Sequence, residues 1–396
     1  MTISLLPASF DKELFLREYW QKKPLLIRGN GQFHDPISPE DLAGLACEEA
    51  IESRLIMGDA EASQWTLSHG PFPEETLRSL PTSHWSLLVQ ALDQWDEGVR
   101  DLLREFDFIP RWRIDDIMLS LASDGGGVGP HFDYYDVFLI QGMGKKRWRL
   151  GGRADSNSAL RPDTELRLLE EFITEEDWIV EPGDILYIPP NIAHYGESIG
   201  LSMTYSIGFR APSAVEMVDD LCNELMHTLP EELRYVDTDP QLPQHSGEIS
   251  PQVSAQLAAL VREVLLDEQM ITRSFGRFMT RPKYPEVIAA EDMLSTEELS
   301  TVLQDPEMLL QRHPISRFAF AGKPPMIDLY VDGHAFACPP AFAALLPQLC
   351  DPFAPELPWA QLMAQQEDNA ELIVALYNQG SLYFTDDDED EEDEEA

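Results

Sequence analysis

The stretch Pro182-Gly183-Asp184-Ile185-Leu186-Tyr187-Ile188-Pro189-Pro190-Asn191-Ile192-Ala193-His194 decides how the chain is read. A Pro-Gly turn opens it, a four-residue apolar run too short for a helix follows, and two prolines close it. This predicts a short buried strand between two turns, with His194 delivered to a strand end. Working outward, three strand-like runs lie upstream: Trp112 to Leu121, His131 to Gln141 and Lys145 to Leu150. Gly142-Met143-Gly144 punctuates the last two as a hairpin. Downstream, Ser202 to Phe209 alternates again. Many short strands with Gly/Pro turns, and no regular alternation with helices, predict an antiparallel barrel or jelly roll.

The chemistry is concentrated in His131-Phe132-Asp133. Residues two apart on a strand share a face, so His131 and Asp133 are expected to aim into the barrel together. A His-x-Asp tripeptide by itself is common, and a lone histidine such as His194 often serves as a buried hydrogen-bonding group. The conjunction carries more, because both stretches end strands of one expected barrel. Two imidazoles and one carboxylate on one side of a metal leave the opposite positions open, the arrangement suited to non-haem Fe(II) oxygen chemistry.

Lys146 is the second element. On the strand after the turn it shares a face with Trp148 and Leu150, while Lys145, Arg147 and Arg149 share the other. The apolar pair marks the inner face, and an inward lysine calls for an anion, such as the distal carboxylate of a metal-chelating diacid. The competing reading has Lys146 snorkelling to the rim beside its basic neighbours. Gly125 to Gly129 lacks the Lys-Ser/Thr of a phosphate loop. It reads either as a flexible lip at the site or as a plain turn.

These residues resemble the JmjC/cupin 2-oxoglutarate oxygenases. The fuller strings Asp115-Asp116-Ile117-Met118, Gly125 to His131, Tyr135-Asp136-Val137-Phe138, Gln141-Gly142, Trp85-Ser86-Leu87-Leu88-Val89-Gln90 and Ser206 to Pro212 are similar to one branch, the bacterial ribosomal oxygenases. That branch hydroxylates an arginine of large-subunit (50S) ribosomal protein sixteen. The resemblance covers the whole chain except the acidic tail. It implies a fold of the α+β class: a double-stranded β-helix (jelly-roll/cupin, JmjC-type) barrel, a helical dimerisation segment and a small winged-helix-like C-terminal domain. It further implies Fe(II) held by His131, Asp133 and His194, 2-oxoglutarate held by Lys146 with help from Ser120 and Thr204, and O2 as oxidant. Relatives can carry an arginine where Lys146 stands; lysine offers a point contact in place of a fork. An arginine substrate calls for carboxylates and aromatic faces, so Asp115, Asp116, Tyr134, Tyr135 and Asp136 are the expected substrate contacts. A JmjC-type demethylase and a non-catalytic dimer that docks a basic peptide are the alternatives.

Composition bounds the rest. The chain has 396 residues, 43% of them hydrophobic and 25% charged, which excludes wholesale disorder. It carries 28 basic and 71 acidic residues for a formal net charge of -43. Such a surface repels nucleic acid and anionic membranes and attracts a basic protein, or serves solubility alone. No apolar run reaches the length of a membrane span, and no secretory signal is expected, since Asp11 and Glu13 interrupt the opening residues. Cys47, Cys222, Cys338 and Cys350 are scattered, as expected of reduced thiols in a cytoplasmic protein.

The expected domains are a catalytic domain over 1–210, a helical dimerisation segment over 211–280, a winged-helix-like domain over 281–385 and a disordered acidic tail over 386–396. Apolar residues at helical spacing, Val215, Met217, Val218, Leu221, Leu225 and Met226, then Leu257, Leu260, Val261, Val264 and Leu265, mark the segment. It is too small to bury a core of its own and is expected to pack on the barrel or on a second copy. In the terminal domain Asp332-Gly333 signals a hairpin, and helices are expected from Ser295, over Pro340–Leu349 and over Glu371–Tyr377.

Overall fold

A computed structural model describes residues 5–59, 64–242, 245–265, 267–284, 293–302, 308–340, 342–354 and 367–386. Of the acidic tail expected over 386–396, Asp386 ends a strand, and 387–396 lie outside the described residues. The chain forms two compact units, Met1–Ala211 and Pro212–Ala396.

The first unit contains eleven strands: β1 Leu25–Ile27, β2 Ser53–Asp59, β3 Gln64–His69, β4 Trp85–Val89, β5 Ile114–Ala122, β6 Val137–Gln141, β7 Lys145–Arg153, β8 Glu176–Val180, β9 Ile185–Ile188, β10 Ile192–Ile199 and β11 Ser202–Phe209. Eight of them make one sheet in the order β1-β9-β6-β11-β5-β4-β2-β3, and the other three make a second sheet, β10-β7-β8. The pairings are antiparallel throughout. Val137 and Leu139 of β6 and Leu186 and Ile188 of β9 pack against Trp148 and Leu150 of β7 and Val180 of β8. These alternate residues close the space between the two sheets, which is the jelly-roll interior. The alternation of β7 reads out as expected: Lys146, Trp148 and Leu150 are buried while Lys145 and Arg147 are exposed.

The outer face of the large sheet is covered by the N-terminal region. A helix over Lys12–Glu18, capped by the Asp11 side chain accepting from the Leu14 amide, presents Phe15 inward. Phe15 meets Tyr187 edge-on at 4.9 Å, and Phe106 meets Phe138 at 4.9 Å. The cluster therefore seats on the side chains of β6, β9 and β11 that point away from the interior.

Two expected strands change. The first begins only at Ile114, because Arg111–Arg113 forms a 3-10 turn after Pro110. The second, expected from His131, begins at Val137. His131 makes a single antiparallel bridge to His194, and residues 132–136 are irregular. The polar and aromatic alternation of that stretch imitates a strand, but it makes only isolated main-chain bonds, from the Asn191 amide to Asp133 and from the Phe209 amide to Asp136, in place of a ladder.

In the second unit, helices span Ala214–Thr228, Pro251–Leu265 and Glu268–Thr280. Strands follow at β12 Met308–Arg312, β13 Phe318–Lys323, β14 Met326–Val331, β15 His334–Ala337 and β16 Leu382–Asp386, with a helix over Glu367–Asn378. β13-β14-β15 form one sheet and β12-β16 another. Asp332 (φ 49°) and Gly333 (φ 84°) make the expected hairpin turn, both residues in the left-handed region that such a turn requires. Ser295 and Glu298 cap the helix Thr296–Val302 reciprocally. Of the helix expected over Pro340–Leu349, Leu346–Leu349 is helical and residue 341 is not described. The helix Glu268–Thr280 lies so close on β14 that a Cβ at Gly276 would stand 2.4 Å from the Tyr330 ring. It belongs, with the helix Ala214–Thr228 it bonds through Ser274 to Asp220 (2.9 Å), to the same compact unit as the strands that follow.

Candidate metal centre

The site is assembled by backbone pairing. The His131 amide donates to the His194 carbonyl at 3.0 Å and the His194 amide returns the bond at 2.8 Å. The Asn191 amide donates to the Asp133 carbonyl at 2.7 Å. The loop that carries the first two residues is thereby fastened to the start of β10, and the two imidazole centroids come to 4.3 Å. The ligating atoms of His131, Asp133 and His194 all lie within 4.8 Å of one another. Asp133 Oδ2 is 3.8 Å from His131 Nε2 and 3.6 Å from His194 Nε2. Donors bound to one ion at ~2.1 Å stand about 3–4 Å apart, which spans both separations.

The rings are oriented from behind. His131 Nδ1 donates to the Gly129 carbonyl and His194 Nδ1 to the Ile192 carbonyl, each at 2.9 Å. A carbonyl only accepts, so Nδ1 bears the proton and each Nε2 lone pair faces the cluster. Gly129 adopts φ +83°, which turns its carbonyl back onto His131. Burial, then the neighbouring His131, lower the His194 pKa to about 4 against the pull of Asp133. The imidazole is therefore neutral and competent to bind a metal at neutral pH. Burial together with the charges of Asp133 and Asp116 raises the pKa of Tyr135.

Lys146 is 6% exposed, with Nζ 5.2 Å from the Trp148 ring centroid. Among the described residues no carboxylate pairs with it, and burial lowers its pKa to about 8. Across the large sheet, Ser120, Thr204 and Gln141 are register neighbours on β5, β11 and β6 and share its inner face. Ser120 donates to the Thr204 carbonyl (3.3 Å), Thr204 donates to Gln141 Oε1 (3.1 Å), and Gln141 Nε2 donates to the Met143 carbonyl (3.0 Å). Gln141, fully buried, is the polar residue that sequence reasoning passed over. Its place in the Val137-Leu139-Gln141 alternation was the available signal.

The five residues expected to meet a substrate divide. Tyr134 and Tyr135 follow Asp133 and are 47% and 42% exposed. Asp116 is buried, accepts from Gln90 Nε2 at 2.7 Å and lies within electrostatic reach of the Tyr135 hydroxyl. Asp115 points to the opposite face of β5 and pairs with Arg210 at 3.0 Å. Asp136 is fully buried, and its carboxylate is occupied by Tyr187 (2.6 Å), Gln21 (3.0 Å) and Arg113 (3.3 Å). It anchors the N-terminal region and is not brought to the cluster. Gly125 to Gly129 packs as a fixed element: the Gly125 amide donates to Ser198, Ser198 donates to Gly126, and a Cβ at Gly127 would stand 2.2 Å from the Gly196 carbonyl.

Two facing antiparallel sheets with a His-Asp-His cluster at one end define the class: a JmjC-type oxygenase, the class that depends on ferrous iron and 2-oxoglutarate. The JmjC domain family model matches residues 101–217, and the ROXA-like winged helix model matches residues 262–383. The chain is 36% identical to the ribosomal protein uL16 3-hydroxylase of Escherichia coli K12, over 84% of this chain and 87% of that protein. It is 32% identical to a probable ribosomal oxygenase of Haemophilus influenzae, over 83% of each. It superposes with a TM-score of 0.79 and 33% identity on YcfD, a ribosomal oxygenase from Escherichia coli in complex with cobalt and 2-oxoglutarate, covering 95% of this chain and 98% of that one. The chain belongs to the ribosomal oxygenases. No helix among the described residues is long and apolar enough to cross a membrane.

Proposed function

We propose that the chain hydroxylates an arginine side chain of large-subunit ribosomal protein uL16, with His131, Asp133 and His194 holding Fe(II) and Lys146 holding the distal carboxylate of 2-oxoglutarate. The observation that carries this is the coexistence, between the same two sheets, of a three-donor cluster and a buried ammonium without a carboxylate partner. A buried cation left unpaired is costly, and a dianionic cosubstrate relieves that cost only while bound. Bound iron with 2-oxoglutarate and dioxygen supplies the oxidation, giving succinate, carbon dioxide and a hydroxylated substrate carbon.

The protein's own part is geometric. The bridge between His131 and His194 fixes two ligands, and the Asn191 amide, donating to the Asp133 carbonyl, fixes the backbone of the third. Val137, Leu139 and Ile188 keep water from the interior. Tyr134 and Tyr135 offer exposed aromatic faces beside the ligands, and Asp116 offers a carboxylate, the groups that a guanidinium seeks. The name of the Escherichia coli relative supports a uL16 substrate, and a net charge of -43 suits attraction of a basic ribosomal protein.

A homodimer in the cytoplasm completes the reading. Val215, Val218 and Met226 on the helix Ala214–Thr228 are 78%, 57% and 70% exposed, and Val261 on the next helix is 52% exposed. A second copy is the occupant that would cover this apolar face symmetrically. Incubation of the iron-loaded protein with unmodified uL16 and 2-oxoglutarate tests the activity. The expected products are succinate and a substrate heavier by one oxygen atom on arginine. Formaldehyde release would make it a demethylase, and absence of any turnover would leave a binding module.

A further inference from the structure

The interior donors near the cluster can be accounted for one by one. Ser120 spends its proton on the Thr204 carbonyl, and Thr204 spends its own on Gln141. The Gln141 amide is turned so that its nitrogen donates to Met143, which leaves only the oxygen for Thr204. Neither hydroxyl retains a proton for an anion in the interior. Two donors remain on β7, both on its inner face: the Lys146 ammonium and the Trp148 indole N–H. Trp148 is 5% exposed and its Nε1 has no hydrogen-bond partner among the described residues.

The surroundings of Trp148 explain why the nitrogen is left over. Val137, Leu139, Leu150 and Ile192 belong to its cluster and offer no side-chain acceptor. Its six-membered ring lies against Gly196 of β10, where a Cβ would come within 2.7 Å of it, so the ring is held in place by the absence of a side chain. The Trp148 ring stands 6.0 Å from the His194 ring and 5.2 Å from Lys146 Nζ, so it neighbours both a metal-cluster imidazole and the ammonium. A keto acid held by both would have the indole as a neighbour. A buried N–H without an acceptor is destabilising, and native interiors rarely keep one unless a ligand or water completes it.

We infer that the Trp148 indole N–H is a positioning donor to the keto-acid cosubstrate, the second interior hydrogen bond after that of Lys146. The inference rests on the reading of the site as an iron and 2-oxoglutarate centre. It assigns Ser120 and Thr204 a different part: they fix the inner face of the large sheet rather than donate to the ligand.

The test uses the full chain loaded with zinc, which is diamagnetic and redox-inert, and 2-oxoglutarate itself. Calorimetry is expected to show Trp148→Phe binding 2-oxoglutarate about tenfold more weakly than the native protein, the loss of one hydrogen bond to an anion, with zinc affinity unchanged. The chain has eight tryptophans, and Trp148→Phe or Trp148→Tyr identifies which indole N–H signal belongs to this residue. In the native protein that signal is expected to move downfield on saturation with 2-oxoglutarate, a readout independent of turnover and of the variants' stability. Equal affinity of native and Trp148→Phe proteins, or an indole signal that stays in place, overturns the inference while leaving the centre intact. Failure of the native zinc-loaded protein to bind 2-oxoglutarate overturns both.

Discussion

His131 and His194 exchange both backbone hydrogen bonds, so that their imidazoles stand at a centroid separation of 4.3 Å with their planes tilted by 60°. A single pair of main-chain bonds thus joins a loop to a strand and fixes two of the three donors at once. Because each ring is also held by its own Nδ1–H to a carbonyl, the cluster is built before any ion arrives.

His131→Ala and Asp133→Ala are expected to reduce substrate-coupled succinate release more than about 100-fold, since even outer partners of metal ligands are worth 10–100-fold. Neither side chain supports the core, so the metal-free melting temperature should not fall. Succinate assays and thermal melts on both variants check the two halves together, and unchanged turnover would dispose of these ligands.

Lys146→Met is expected to raise the 2-oxoglutarate dissociation constant by roughly 30-fold or more, corresponding to about 2 kcal/mol or more for a buried charge pair. The same substitution should stabilise the ligand-free protein, because it replaces an unpaired buried ammonium by an apolar chain of similar length. Affinity that falls while the apo melting temperature rises is the expected signature; a fall in both would assign Lys146 to the fold.

The pH dependence follows from the lysine's direction of shift. Its pKa falls from 10.5 unfolded to about 8 folded, so between these values the unfolded chain binds more protons. Ligand-free stability should therefore rise with pH across that window, by an amount on the order of 3 kcal/mol from this group. Below pH 8 the buried charge is present and weakens the apo protein. The increment in melting temperature given by 2-oxoglutarate should then be largest below pH 8 and shrink above it. Melts with and without 2-oxoglutarate from pH 7 to 10 measure this.

Gly127→Ala would bring a Cβ within 2.2 Å of the Gly196 carbonyl, which lies two residues from His194 on β10. Overpacking of backbone on backbone should cost about 1–3 kcal/mol and displace His194, lowering metal affinity with it. Metal titration and denaturant melts on the variant would show both losses.

Asp136→Ala separates structural from substrate roles. It leaves Tyr187, Gln21 and Arg113 without their acceptor and should destabilise the fold by about 3–5 kcal/mol. Turnover per folded molecule should be unchanged. A selective rise in KM for uL16, without loss of stability, would return Asp136 to the substrate.

The sequence by itself determined which residues alternate inward. The Lys146-Trp148-Leu150 face, the strand ending in Pro189-Pro190 and the hairpin at Asp332-Gly333 all follow from local periodicity and turn chemistry, which act over a few residues. It also carried the motif strings that point to the oxygenase class. Only the tertiary structure decided how the polar groups are spent. His131 is fixed by a bridge to His194 and not by the strand that its alternation suggested, and Asp136 is claimed by Gln21 and Tyr187. Thr204 gives its proton to Gln141, and Trp148 keeps its own. A carboxylate or hydroxyl takes whichever partner the fold brings within about 3 Å, and residues so distant along the chain meet only once both sheets have formed.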